Sequence, residues 1–231
     1  TSRAFEASSL RRKSPNQASV DVPVSALEDE ISAHGANALV MDIEGGEGEI
    51  FTRADVSPVN KIVVELHPQI LGAYEVGELI EALEADGLYL QPDAVMGDVV
   101  AFTRTRPRSS RPGSQLFADF AVAERALANG DREVAIRKFD ALADELVENP
   151  YFHVRHGMAL LPSDRVGARR AFERAVELGS GDHDCFSSLG DLALQDGDIE
   201  GAESWAHQGL ARFEHSHKAR AVLARAARRK G

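Results

Sequence analysis

The apolar positions along this 231-residue chain follow two rhythms. Up to about residue 106, short β-branched runs alternate with helical stripes, and from about residue 115 the helical stripe is almost continuous. Residues 1–19, which carry Arg11, Arg12 and Lys13, have the composition of a loop, and residues 20–24 that of a short extended piece. Ser25 and Glu28 have capping-box spacing, which predicts a helix running to His34 and Gly35, where glycine takes the left-handed stop. Residues 38–44 are apolar on both faces until their carboxylates, the pattern of a buried central strand covered by helices. Residues 46–55 suit a short helix, and residues 61–67 repeat the strand pattern before Pro68. Over residues 75–86, Val76, Leu79, Ile80 and Leu83 fall on one helical stripe. Residues 87–90 and 98–103, joined through Pro92 and Gly97, predict a terminal antiparallel pair. This order of elements is that of the second half of an open, mainly parallel α/β sheet. If the first strand forms an edge, its apolar faces call for further strands beside it.

The second half repeats itself. Turn residues recur at Asn129-Gly130-Asp131, Pro162-Ser163-Asp164 and Asp196-Gly197-Asp198, each followed by an alanine: Ala135, Ala168 and Ala202, 33 and 34 residues apart. Phe139, Phe172 and Ala206 come four residues later, and Gly157 and Gly190 stand upstream where small residues let two helices approach. A period near 34 predicts stacked helix pairs. Ala219, Val222, Leu223 and Ala226 then define a closing helix over 215–230, whose Arg228, Arg229 and Lys230 suit the negative end of a helix dipole. Residues 103–114 contain four arginines, two prolines and a glycine with no large apolar side chain, the composition of an exposed linker. The organisation expected is an α/β domain over 1–106, a linker over 107–114 and an all-α repeat domain over 115–231.

Composition narrows the partners. The net charge of -11 would repel a phosphate backbone, so no nucleic-acid partner is expected. No apolar run approaches the roughly 20 residues of a membrane helix, and no membrane partner is expected either. No secretory signal follows Thr1, and the single cysteine, Cys185, excludes an internal disulfide framework, so a reducing cytoplasm is the expected location. The absent initiator methionine suggests an incomplete chain.

The chemistry concentrates in Asp42-Ile43-Glu44-Gly45-Gly46-Glu47-Gly48-Glu49. One reading is a plain strand-to-helix turn, with glycines for the bend and acids in the first helical turn. A phosphate-cradling loop is disfavoured, because four carboxylates crowd the string and no Lys-Ser/Thr follows. The third reading is an active-site edge, since ligands of open α/β sheets sit beyond the carboxyl ends of the strands. Asp42 and Glu44 end one strand and Glu65 and His67 the next, so the four would converge on one crevice, with Glu47 close behind. A carboxylate or imidazole there would take a proton from a substrate hydroxyl. His153 and His156, three apart on a helix, lack a third ligand and are expected to be repeat-surface histidines, so no metal site is assigned. His215 and His217 are expected to be solvated, Cys185 to be a small core residue and Trp205 to pack between repeats.

Two family resemblances follow from these residues. Residues 40–47, with the helix carrying Ser25 to Glu28 before them and the strand Val63-Val64-Glu65-Leu66-His67 after them, resemble the FkbM-type S-adenosylmethionine-dependent methyltransferases over about residues 19–104. That family's mark is Lys-Ile-Asp-Val-Glu-Gly-Ala-Glu; Val40 stands here for its lysine and Gly46 for its alanine. The resemblance implies a partial Rossmann-like sheet and methyl transfer from S-adenosylmethionine to a hydroxyl of a sugar or glycan. It also implies substrate or base roles for Asp42 and Glu44, and secondary ones for Glu47, Glu65 and His67. The family's glycine-rich cofactor turn lies upstream of the matching region, so the cofactor-binding residues stay unassigned. Residues 115–214 resemble about three tetratricopeptide repeats, through Gly157 and Gly190, the alanines 135, 168 and 202, and Phe139 and Phe172. Trp205 falls one position early in the third. This implies a protein or glycan partner on the concave face of the repeats. The alternatives are a non-catalytic repeat scaffold, or a glycosyltransferase fragment in which Asp42 and Glu44 are the metal-binding acid pair and activity depends on manganese.

Overall fold

A computed structural model of the chain describes residues 25–51 and 53–230. The loop expected over 1–19 and the extended piece expected over 20–24 lie outside the described residues. The chain separates into two compact units, Thr1–Ala121 and Val122–Gly231. In the first, helices and strands alternate; the second, among the described residues, is helical throughout.

Among the described residues the first unit opens with α1 (Leu27–His34), closed by Gly35 in the left-handed region at φ +57°. The capping box does not form. The helix starts one residue later than the box requires, with Ala26 as its cap and no side-chain cap bond. Ser25 Oγ instead donates to Glu30 Oε1 (2.6 Å), and Glu28 Oε1 accepts the Asp55 N–H (3.3 Å). Strand β1 (Ala38–Met41) leads through a turn to the single-turn helix α2 (Glu47–Phe51), followed by β2 (Lys61–Glu65) and α3 (Pro68–Leu71). Then α4 (Ala73–Ala85) buries Val76, Leu79, Ile80 and Leu83, the four residues of its apolar stripe. Each such burial is worth about 1.5–3 kcal/mol. Strands β3 (Tyr89–Leu90) and β4 (Val99–Thr103) are the remaining strands of the described sheet.

The strand order is β1-β2-β4-β3. Strands β1 and β2 pair in parallel with Ala38 opposite Lys61 and Met41 opposite Val64, while β4 runs antiparallel to both β2 and β3. The described sheet is therefore mixed and not mainly parallel, because the closing hairpin folds back against β2. Strand β1 also departs from the buried central strand that its composition suggests. Among the described strands it is an edge, and Val40 is 84% exposed on it.

The arginine-rich segment is tied down rather than free. Residues 104–112 have no regular secondary structure, and α5 (Gly113–Asn129) starts inside the stretch expected to be a linker. Half-buried Arg104 donates from Nε to Val59 O (3.0 Å), from Nη2 to Val56 O and Ser57 O (both 3.0 Å), and from Nη1 to Asp86 O. Arg111 Nη1 meets Asp119 Oδ2 at 2.6 Å. A guanidinium with five donors in a fixed fork suits such a cluster of backbone acceptors.

The second unit contains α6 (Arg132–Asp140), α7 (Pro150–Leu160), α8 (Arg165–Glu177), α9 (His183–Asp196), α10 (Ile199–Arg212) and α11 (His217–Lys230). Ala135, Ala168 and Ala202, with Phe139, Phe172 and Ala206 four residues on, are all fully buried. At Gly157 a side chain would strike the Phe172 ring 2.8 Å away, and at Gly190 it would meet Val222 Cγ1 at 2.8 Å. Close helix approach thus depends on glycine at these two places. Phe172, Cys185, Phe186 and Leu189 share one core cluster, Ala202, Ala206, Val222 and Ala226 another, and Trp205 packs against both. Helices α8 and α10 begin alike. Asp164 Oδ1 accepts the Gly167 N–H (2.9 Å), and Asp198 Oδ1 accepts the Gly201 N–H (2.8 Å). At α6 the cap is Asp131, Val134 stands where the others have glycine, and no side-chain cap bond forms.

Candidate functional site

The acids of residues 42–47 gather where β1 and β2 end side by side. Continuing their parallel register past the paired residues sets Asp42 level with Glu65 and Glu44 level with His67. The chain leaves β1 through Glu44, a non-glycine residue at φ +49°, and Gly45 at φ +92°. Glycine is required at 45 on two counts: the backbone is left-handed, and a Cβ there would lie 2.5 Å from Ile70 Cγ2. Packing of Ile70 into that space fixes the turn against α3, just beyond His67.

His67 is the centre of the group. Its side chain is 6% exposed, and its Nδ1 is hydrogen-bonded to Oε1 of the fully buried Glu47. The same oxygen accepts the Gly45 N–H at 3.2 Å, whereas Glu47 Oε2 is buried without a hydrogen-bond partner. The other ring nitrogen, Nε2, faces Asp42 Oδ1 at 3.8 Å and Glu44 Oε2 at 3.9 Å. Side-chain exposure falls from 62% at Asp42 through 27% at Glu44 to 6% at His67 and zero at Glu47, so the four groups lead from solvent inward. Anchoring of Nδ1 by a carboxylate fixes the ring's orientation and selects which nitrogen meets the opening.

Four of the five residues singled out from the sequence are thus brought together: Asp42, Glu44, Glu47 and His67. Glu65 is not. It ends β2 opposite Val99, half-buried, and makes no hydrogen bond or ion pair with the other four. The strand stops at Glu65, and His67 (φ -118°, ψ 70°) turns the chain into α3, so the two-residue alternation that would have kept 65 and 67 on one side no longer applies. Glu47 enters by a route that alternation does not carry: the turn folds back and sends it beneath the imidazole.

The helical unit holds a second group, Asp182, His183 and Asp184, but these carboxylates already have partners. Asp182 Oδ1 accepts the Asp184 N–H at 2.7 Å, and Asp184 Oδ1 meets His183 Nδ1 (2.8 Å) and Lys218 Nζ (2.5 Å). His153 and His156 belong to no metal-type group among the described residues, as expected, but both are half-buried rather than freely exposed. His156 packs on Phe139 and Phe152, with ring centroids 5.9 and 5.5 Å away, and its Nε2 lies 3.0 Å from Asp140 Oδ1. Burial pulls both imidazoles below their ordinary pKa, against the opposing pull of Asp140 on His156 and of the Val147 carbonyl on His153. Burial likewise pushes the Cys185 thiol up to about 12. Among the described residues no helix is long and apolar enough to cross a membrane.

No protein-family model matches this sequence, and no curated protein matches it.

Proposed function

We infer that residues 25–103 form the acceptor-binding side of an S-adenosylmethionine-dependent O-methyltransferase of the FkbM type, acting on a hydroxyl of a sugar or glycan. The observation that carries this reading is the cluster of Asp42, Glu44 and His67 at adjoining strand ends, with Glu47 holding the imidazole from below. A hydroxyl entering from the solvent side meets Asp42 first. Its hydrogen bond to that carboxylate orients the oxygen, and its proton passes to the carboxylate or to His67 as the oxygen becomes nucleophilic. General-base contributions of this kind are worth about 10²–10⁴ in rate.

The cofactor side is a different matter. The glycines of this turn do not form a cradle, since Ile70 fills the space beside Gly45 and a side chain at Gly48 would touch Leu71 at 3.5 Å. No step is therefore assigned to S-adenosylmethionine here, and a Rossmann-like sheet is part of the proposal. The helical unit is proposed as a tetratricopeptide-like scaffold for a protein or glycan partner, supported by the pairing of Gly157 with Phe172 in the approach of α7 to α8. A cytoplasmic location belongs to the same proposal.

The test uses the longest natural protein that contains this sequence. Calorimetric titration should detect S-adenosylmethionine binding, and Asp42→Asn should slow methyl transfer to a glycan acceptor at least 100-fold while leaving cofactor affinity unchanged. Absence of binding heat overturns the methyltransferase reading in favour of a scaffold without catalysis. Unchanged transfer by Asp42→Asn removes Asp42 from the mechanism.

A further inference from the structure

We propose that Asp42, Glu44 and His67 form a binding site for one divalent cation of the Mn²⁺ type, with Glu47 as the carboxylate that positions the imidazole. The three candidate ligand atoms all lie within 4.8 Å of one another. His67 Nε2 is 3.8 Å from Asp42 Oδ1 and 3.9 Å from Glu44 Oε2, too far for hydrogen bonds, which for N–H···O span about 2.7–3.2 Å. Cation–ligand bonds of about 2.0–2.2 Å set neighbouring donors about 3.0–3.5 Å apart. Closing the two gaps to the imidazole to that range takes less than about 1 Å, within the rotamer freedom of the exposed Asp42 and the partly exposed Glu44.

The second, independent observation is the imidazole itself. His67 is 94% buried at its side chain by exposure, yet Nε2 makes no hydrogen bond, and the atoms it points toward are carboxylate oxygens. With Nδ1–H donating to Glu47 Oε1, Nε2 presents its lone pair to the cluster, an arrangement that a cation satisfies and a neutral donor-free pocket does not. A carboxylate behind a histidine in front of a metal is the common outer-shell pattern: it fixes the tautomer and raises the basicity of the ligating nitrogen. The donor set chooses the class of ion. Two carboxylates favour hard divalent ions, and one imidazole favours first-row transition metals over Mg²⁺ and Ca²⁺, which leaves Mn²⁺ as the natural probe. Asp42 is 62% exposed, so coordination positions remain on the solvent side for water or a hydroxyl. If the acceptor of the proposed transfer binds there, the cation lowers the pKa of its hydroxyl, and with His67 Nε2 held by the cation the proton passes to the non-ligating oxygen of Asp42. That last coupling rests on the methyltransferase reading, and the cation site does not.

Titration of MnCl₂ into the protein, followed by loss of the free-ion electron paramagnetic resonance signal, decides the matter. One equivalent should bind. Asp42→Asn, a change at an exposed side chain that leaves the fold intact, should weaken binding at least tenfold, and Glu47→Gln about 10–100-fold through the misplaced ring. Asp182→Asn in the helical unit should leave the titration unchanged. The proposal is overturned if the wild type takes up no Mn²⁺ at millimolar concentration, if Asp42→Asn binds as tightly as the wild type, or if Asp182→Asn abolishes uptake. Methyl transfer by a protein that binds no Mn²⁺ would discard the cation site and keep the proposed function; Mn²⁺ uptake without cofactor binding would do the reverse.

Discussion

The two units use glycine and buried polar groups for opposite ends. In the helical unit Gly157 and Gly190 exist for contact: each lets an apolar side chain of another helix, Phe172 or Val222, come closer than any Cβ would allow. In the α/β unit Gly45 exists for a bend, with Ile70 packed beside it, and the result is a left-handed turn that delivers Glu47 under His67. Two kinds of carboxylate differ in the same way. Asp182 and Asp198 cap helices, whereas Glu47 caps nothing, and one of its oxygens ends buried without a partner. A group whose hydrogen-bonding needs are met locally is structural. A ring nitrogen that faces the opening between strand ends without a hydrogen bond, as His67 Nε2 does above Glu47, is where a ligand gains most.

The contrast is open to attack with one fluorophore, because Trp205, the chain's only tryptophan, reports on the helical unit alone. The largest effect expected is from Phe172→Ala, which empties a fully buried ring site and should cost about 3–5 kcal/mol. Urea unfolding followed by Trp205 emission should show a correspondingly lower midpoint. Next comes Arg104→Ala, which takes the donor from four backbone carbonyls, those of the buried Val56 and Val59 among them, and should cost the α/β unit about 2–3 kcal/mol. Far-UV circular dichroism should register that loss while the Trp205 midpoint stays where it was. A shift of both signals together would mean that the units unfold as one, and the contrast would fail. The smallest effect is of pH. Burial holds His153 and His156 below the ordinary imidazole value of about 6.5, so the unfolded chain binds more protons than the folded one. Stability of the helical unit should accordingly fall as pH drops through about 6.5 toward the lower folded-state values. The Trp205 midpoint at pH 5.5 should lie below that at pH 7.5, and His156→Gln should flatten the difference.

Periodicity carried more of this fold into view than composition did. The stripe of Val76, Leu79, Ile80 and Leu83 is buried in full, and the alanines at 135, 168 and 202 lie in the core, because regular spacing maps directly onto one face of a helix. For the same reason the meeting of Asp42 and Glu44 with His67 was legible: two apolar runs ending in polar residues pair in parallel, and their ends coincide. Glu65 was not, since alternation stops where the strand stops. Arg104 was hidden more deeply. In the sequence it is one of four arginines in a stretch without large apolar residues, and its acceptors, the carbonyls of residues 56, 57, 59 and 86, are backbone atoms that no residue type advertises. The exposed valine of β1 shows the converse error: an apolar run reveals that a strand wants covering, not that it is covered.

The helix starts of the second unit carry a last consequence. At Gly167 and Gly201 an added methyl group would lie within 2.3 and 2.0 Å of the capping carboxylates of Asp164 and Asp198. A residue that ordinarily weakens a helix is here what lets its first turn be locked. Helix α6, with Val134 at that place, starts without such a lock, so of α6, α8 and α10 its first turn is the one with the least to hold it.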